Sequence, residues 1–557
     1  MARAAEARTV ADAPAGALPL KYAPRPTSAA ITPADLMTRL YIFADDSMQG
    51  RDAGSPGNAR SNAYIERELR RLGLRPAGEN GTFFQDVPLV RRAVEASELT
   101  VAGEALAAGA DFQPVGTRGT LRPITGRVAT VFGGVYGDSL ALTREQIAGK
   151  LVVFAMPEDG PRLPARLSTE SPLAGAAGVA IAGLDQLPVA ARSALRAPSV
   201  GMSAAASSTA PVPIQMMVTA RAAERMLGAP LAGLAPGAAG RPVDGRVGVV
   251  ETATPARNIV AVLEGRDPAL RGTYVALGAH NDHVGTTPTP VDHDSLKVVN
   301  ATVRAYELEI DPENDEVLTA EQRRQIAARR AELRVNLDSL RRLRPARLDS
   351  VYNGADDDGS GSMALLEIAE HLVAAPVRPR RSVLFVWHAA EEKGLLGARW
   401  WSEHPTVPRD SVVAQLNIDM IGRGTVGDVR RGGPGYVGLV GARRLSTELG
   451  ELTDLVNRAQ PEPLRFDYTL DADGHPQNIY CRSDHYHYAR FGIPVAFFFT
   501  GLHGDYHQLT DEPQYIDYRN YARITNYVRD LAVRVANLDH RPVVDRPKPD
   551  PNGECRQ

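Results

Sequence analysis

Four short apolar runs constrain this chain most: Tyr274 to Leu277, Ser382 to Trp387, Val412 to Ile418 and Pro494 to Phe499. Runs of this length, rich in Val, Leu, Ile and Phe, read as strands buried on both faces. Such strands belong to an open, mainly parallel α/β sheet, and the carboxyl edge of such a sheet is where ligands bind. An acidic or histidine residue follows most of these runs within a few positions. In chain order these residues are His280, Asp357 within Asp356-Asp357-Asp358, the pair Glu391-Glu392, Asp419 and His507. Two imidazoles and three carboxylates among them form a hard-to-borderline donor set that suits zinc or a similar divalent ion, with no thiolate needed. The set suggests a two-metal hydrolase.

Each element also has a structural reading. An isolated Glu-Glu pair is usually a solvated helix start, and Asp356 to Asp358 could serve only as a helix N-terminus, because Ser360 to Val373 reads as an amphipathic helix whose positive end favours acids. That role is kept for Asp358 and Asp356, while the ordered set makes Asp357 a ligand candidate. The remaining histidines, His283 among them, read as surface residues or as supports behind the ligands. Ser483-Asp484-His485 looks like a hydrolase motif, but no nucleophile-elbow sequence precedes it, so it reads as a hydrogen-bonding element near the metals.

Several separate motifs recur in one order: Gly278 to Asp282, Gly354 to Gly361, Ala389 to Gly394, Asn417 to Met420, Ser483 to His485 and Gly501 to Asp511. Together they resemble the zinc-dependent M28 peptidases, which include bacterial aminopeptidases and glutamate carboxypeptidase-like enzymes, over roughly Leu36 to Leu538. The resemblance implies a mixed, mainly parallel central sheet flanked by helices, with two divalent ions, zinc first. It implies that Asp357 bridges the two ions, that Glu392 and His507 complete one site and His280 and Asp419 the other, and that Glu391 is the general base. Tyr506 resembles a family tyrosine that supports the oxyanion. Asp282, two residues after His280, is placed to receive its second ring N–H. A cis peptide between Asp357 and Asp358 is implied as well.

Composition narrows the class. A chain of 557 residues is too long for one core, and a net charge of −3 argues against a general nucleic-acid binder. No run approaches 18 apolar residues, so no membrane span is expected. Met1 to Leu20 lacks an apolar signal core, and export is implied by the resemblance alone. Cys481 and Cys555 could form one bridge.

Residues 1–33 read as a flexible lead or strap, 34–88 as the opening of the peptidase domain, with Asn58 to Leu72 as a helix presenting Ile65, Leu69 and Leu72 on one face. Residues 89–251 alternate strand-like and Gly/Ala-rich runs and look like an inserted protease-associated domain, a smaller α/β module. Residues 252–540 resume the peptidase domain, and 541–557 form a Pro-rich tail. Within the resumed part, 286–352 is a helical insertion; Thr319 to Leu343 reads as one surface helix with Ile326, Leu333, Leu337 and Leu340 on a face and a Thr319/Gln322 capping box. Its nine arginines between Arg323 and Arg347 read as a solvated face.

The reading is a dinuclear metallopeptidase acting on peptide ends, an aminopeptidase first, with a carboxypeptidase or dipeptidase as variants. A one-metal glutaminyl cyclase and a noncatalytic binding relative are the alternatives.

Overall fold

The computed structural model describes residues 9–10, 18–95, 97–115, 120–157, 167, 170–188, 191–192, 195, 197–206, 210–311 and 317–557. The chain divides into two compact units, one built from Met1–Val87 with Ala256–Gln557, the other from Pro88–Pro255.

The first unit is organised by a nine-stranded sheet. Its strands are β1 (Arg75–Pro76), β2 (Phe84–Val87), β3 (Ala256–Leu263), β4 (Tyr274–His280), β5 (Ser382–His388), β6 (Val412–Ile418), β7 (Tyr436–Val440), β8 (Arg465–Asp467) and β9 (Val495–Phe499). The order is β1-β3-β5-β4-β6-β9-β7-β8, with β2 also on β3. Pairs β5/β4, β4/β6, β6/β9 and β7/β8 are parallel; β3 and the β9/β7 pair run antiparallel. All four apolar runs are therefore strands, side by side at the sheet centre.

Alternation along β5 explains why these runs are continuously apolar. Phe385 and Trp387 enter one core, Leu384 and Val386 the other. Both faces are covered, so neither set of positions can be polar. The helices on the first face include α1 (Pro33–Phe43), α2 (Pro56–Leu72), α4 (Gly361–Ala374) and α5 (Tyr518–Ala536), and Leu449, Leu452 and Val456 of the helix Thr447–Arg458 enter the same core; α3 (His293–Ile310) belongs to the helical insertion. Helix α2 starts where Ser55 Oγ accepts the Asn58 N–H at 3.2 Å with Pro56 in the first turn, and ends at Gly73 at φ 71°. Its Ile65 and Leu69 are buried, as its periodicity predicts. Leu365 and Leu366 of α4 are fully buried, and truncating either to Ala costs about 2–5 kcal/mol.

The second unit holds a six-stranded mixed sheet, a four-stranded sheet and a three-stranded sheet. Leu151–Ala155, Gly178–Ala182 and Val212–Val218 run parallel through its core. Its limits extend the inserted segment to Pro88–Pro255, a few residues beyond the 89–251 expected.

Two expectations change. Thr319 to Leu343 is two helices, Ala320–Glu332 and Leu337–Leu343, because Arg334–Val335 is extended and pairs with Thr9–Val10, and Asn336 starts a new helix by accepting the Ser339 N–H. Ile326 and Leu340 are buried, whereas Leu337 is half exposed. The arginine face is not wholly solvated: Arg344 binds Asp294 and Arg347 binds Glu512, the latter at 2.9 Å. The tail is held at its end, where Cys481 and Cys555 form a disulfide and the Gly474 N–H donates to the Gln557 carbonyl at 2.9 Å.

Candidate metal centre

The carboxyl edge of the sheet gathers the ligand candidates. His280 ends β4, Glu391 and Glu392 lie three and four residues beyond β5, Asp419 directly follows β6, and the loop after β9 carries Tyr506 and His507. Asp357 comes from the turn that opens α4. Their backbone is unusual: Ala390, Met420 and His507 have φ of 57°, 59° and 55°, and the Asp357–Asp358 peptide is cis. Left-handed conformations of residues other than glycine persist where surrounding structure over-determines them.

Asp357 sits between two donor sets. Its Oδ1 is 3.1 Å from His280 Nε2, which in turn is 3.6 Å from Asp419 Oδ1. Its Oδ2 is 3.0 Å from His507 Nε2, which is also 3.0 Å from Glu392 Oε2. Ligands bound about 2.0–2.2 Å from one tetrahedral ion lie roughly 3–3.6 Å apart. Both sets have that spacing, and they share the two oxygens of one carboxylate.

His283 joins the second set, with Nδ1 2.8 Å from Glu392 Oε1 and 3.8 Å from Asp357 Oδ2. Its sequence position next to Asp282 carried no signal for this. Tertiary contacts bring it in: the His283 N–H donates to the Arg51 carbonyl at 3.2 Å, so the first chain segment turns the loop after β4 inward. Gly354 leaves room for the ring, since a Cβ there would stand 2.6 Å from two His283 ring atoms, and its φ of 55° also favours glycine.

The supports are hydrogen bonds to backbone and carboxylate. Asp511 accepts the N–H groups of Asp356 and Asp357 at 3.0–3.1 Å, and Asp358 accepts those of His280 and Gly361 at 3.0 and 2.7 Å. Asp358 thus keeps the helix-start role read from sequence. Ser483 Oγ donates to Asp419 Oδ2 at 2.7 Å and receives Asn417 Nδ2 at 2.9 Å, so Ser483 acts as a hydrogen-bonding element. His388 faces Asp484 at 3.3 Å and Tyr488 Oη at 2.9 Å behind it. Asp282 differs from expectation. His280 Nδ1 lies 3.1 Å from the Asp282 backbone carbonyl and 3.7 Å from its carboxylate, which instead accepts the Glu391 N–H at 3.0 Å. The carboxylate is drawn to the loop after β5, and the nearer carbonyl is left for the ring.

Electrostatics marks the cluster as a cation site. His280 Nε2, His283 Nδ1 and Nε2, Asp357 Oδ2, Glu392 Oε1, Asp419 Oδ1 and His507 Nε2 are buried atoms without a hydrogen-bond partner. Buried polar atoms in native proteins are normally paired, and an ion is one recognised reason for such orphans. Burial works against the charge on His507, but Asp357 and Glu392 outweigh it and raise its pKa to about 10. Burial pushes Glu392 up, the Asp357 charge adds to this, and His283 and His507 overcome both to hold it at about 2. Burial, with Glu392 and Asp419 nearby, raises Glu391 well above the usual carboxylate range. An excess of carboxylate held against imidazole in a dry site is the charge balance that divalent cations complete. The residues therefore fit two metal positions sharing Asp357.

Beside them lies a pocket lined by Glu391, Asp419 and the apolar side chains of Met420, Ile479, Phe497, Phe499 and Leu502, together with Tyr506 and Arg482. The Tyr506 ring stacks on His507 at 3.9 Å, and its hydroxyl is 3.5 Å from Arg482.

Residues 337–532 match Peptidase family M28. The chain is similar to leupeptin-inactivating enzyme 1 of Streptomyces exfoliatus, with 41% identity over 78 residues, 14% of this chain and 18% of that one. It is also similar to leucine aminopeptidase 1 of Sclerotinia sclerotiorum, 33% identical over 151 residues covering 26% and 36% of the two chains. An aminopeptidase of Pseudomonas aeruginosa is 32% identical over 165 residues, 28% of each. The chain thus spans between 18% and 36% of the length of these relatives. Among solved structures, the aminopeptidase from Aneurinibacillus sp. strain AM-1 aligns over 93% of this chain and 97% of its own, with a TM-score of 0.48 and 14% identity.

Proposed function

We propose, from the match of residues 337–532 to Peptidase family M28, that the chain is a dinuclear zinc exopeptidase, an aminopeptidase in the first instance. The observation that carries the reading is Asp357, whose two oxygens face separate donor sets at 3.1 and 3.0 Å. His280 and Asp419 would hold one ion, Glu392 and His507 the other. When bound, the ions lower the pKa of water and polarise the scissile carbonyl.

The chain's own residues supply the rest. Glu391 lines the pocket, its Oε2 3.9 Å from His280 Nε2, and is in neither close donor set. That leaves its carboxylate to take a proton from the attacking water and pass it to the leaving amine. Tyr506 lines the same pocket, and its hydroxyl would donate to the developing oxyanion. The apolar wall of Met420, Ile479, Phe497, Phe499 and Leu502 favours an apolar terminal side chain in a water-poor site. Asp282 holds the Glu391 backbone, and His283 orients Glu392 from its other side.

The inserted unit, an α/β module with its own cores, is read as protease-associated, contributing none of these side chains. Among the described residues no helix is long and apolar enough to cross a membrane, and export is part of this proposal.

The test is hydrolysis of aminoacyl anilides with apolar side chains against the same compounds N-acetylated, with zinc measured on the same sample. Cleavage of the free-amine series alone, with two zinc ions per chain, is the expected result. Cleavage of the N-acetylated anilides would point to an amidase that needs no free amine, and cleavage of N-acetylated peptides with a free carboxyl end, but not of the anilides, would make it a carboxypeptidase-type enzyme. A single zinc with cyclisation of N-terminal glutamine would make it the acyltransferase, and two zinc ions with no hydrolysis of any peptide would overturn the catalytic reading.

A further inference from the structure

His507 stands on a loop without regular structure, and the helical insertion lies directly against that loop. Lys297 of α3 is buried, and its ammonium pairs with the carboxylate of Asp505, two residues before His507. Arg423 Nη1 reaches the same Asp505 oxygen at 3.0 Å, and its Nη2 binds Asp428. The other Asp505 oxygen accepts Thr510 Oγ1 at 2.7 Å, and Thr510 in turn accepts Asn300 Nδ2 of α3 at 2.9 Å. Between these contacts, Gly504 is so close to the helix that a Cβ there would stand 3.0 Å from Arg304 Cβ and from the Asn300 carbonyl. The ammonium is also 4.0 Å from the Tyr515 ring centroid.

We infer that the helical insertion is part of the metal-binding apparatus, with Lys297 as a positioning residue that holds the Asp505–Thr510 loop so that His507 meets Asp357 and Glu392. Two links from one helix, one ionic and one through Asn300, grip the loop on both sides of His507. A loop gripped at both ends can hold its middle residue at φ 55°. Lys297 and Arg423 face Asp505 and Asp428, so the buried charges match two against two. Removing the ammonium leaves Asp505 with one cation, Arg423, beside the Thr510 hydroxyl and frees the loop from α3 on the ionic side. A buried pair that loses one partner is strongly disturbed, so the loop shifts to find water or another donor. His507, held by no regular element of its own, moves with it.

This inference rests on the two-metal reading, and its test is chosen to separate the two. Zinc is titrated into metal-free full-length protein against a competing chelating dye, and turnover of an aminoacyl anilide is measured on the same samples. Lys297→Met should weaken one of the two zinc equivalents by roughly 10- to 100-fold, the range seen when a ligand loses its outer support, and leave the other near wild type. Turnover number should fall with the weakened equivalent while KM changes little, and Lys297→Arg should restore most of both. Asn300→Ala, which cuts the second link, and Gly504→Ala, which pushes the helix off the loop, should weaken the same equivalent. Should Lys297→Met fail to fold, those two variants carry the test. Folded variants that bind both zinc equivalents with wild-type affinity would overturn the inference and leave the two-metal reading intact. Wild-type protein that binds no zinc would overturn both.

Discussion

Two parallel sheet cores in this chain end in different chemistry. In the inserted unit, Leu151–Ala155, Gly178–Ala182 and Val212–Val218 are as apolar and nearly as buried as β4, β6 and β9. They run out into Met156, Gly183 and Thr219, and Thr219 only starts a helix by accepting the Ala222 N–H at 3.1 Å. In the first unit, the corresponding ends are His280, Asp419 and the loop after β9 that carries His507. All groups of metal-competent side chains found among the described residues lie in this unit. The orphan buried atoms divide the same way: in the inserted unit only Thr120 Oγ1 and Arg192 Nε, among the described residues, lack a partner. A sheet edge of this architecture is therefore a possible site and no more. It becomes one where strand ends deliver donors that the protein itself leaves unsatisfied, at the cost of burying them.

That contrast can be broken by substitution, and the largest effect belongs to the residue outside the donor sets. Glu391→Gln keeps the shape but cannot accept a proton, so turnover should fall by roughly 100- to 10,000-fold while zinc content stays near wild type. Near-normal turnover with both ions bound would assign the base elsewhere. Glu392→Gln should instead reduce zinc retention, because a neutral amide is a poor substitute for an anionic ligand. Metal analysis after dialysis reads the difference, and equal metal loss in both variants would erase the division between the two glutamates.

His283→Gln sharpens the comparison within the site. It removes the imidazole behind Glu392, and zinc affinity at one equivalent should drop by about 10- to 100-fold, with activity recovered at high zinc. An unchanged zinc titration would reduce His283 to a packing residue. The smallest effect on chemistry belongs to the inserted unit. Ile181 is fully buried in it, and Ile181→Ala should lower stability by about 2–5 kcal/mol in denaturant unfolding. Zinc content and turnover of the folded protein should not change, and a loss of bound zinc in that variant would contradict the separation drawn between the units.

The sheet edge was readable in advance because burial on both faces writes itself locally as an uninterrupted apolar run, and each strand then delivers its terminal residue to one side. Helices α2 and α4 were readable for a similar reason, since a helix buries one face at a fixed spacing, and the Thr319 cap of Ala320–Glu332 is a contact across three residues. The family resemblance supplied the assignment of roles within the set. The Thr319–Leu343 region misled because its leucine spacing continues through Arg334–Val335, where pairing with Thr9–Val10 imposes an extended backbone. Periodicity cannot register a partner more than three hundred residues away.

By itself, then, the sequence determined the strands, their order of donors and the kind of ion such donors suit, because these depend on residue type and short-range pattern. Tertiary structure alone decided that His283 faces Glu392, that the Asp282 carboxylate serves Glu391 rather than His280, that Cys555 closes on Cys481, and that α3 grips the His507 loop. Each of these is a contact whose partners are set by how packed elements meet. Burying either group alone would cost free energy, the partner that the fold brings to it offsets that cost, and nothing in either local segment records the other.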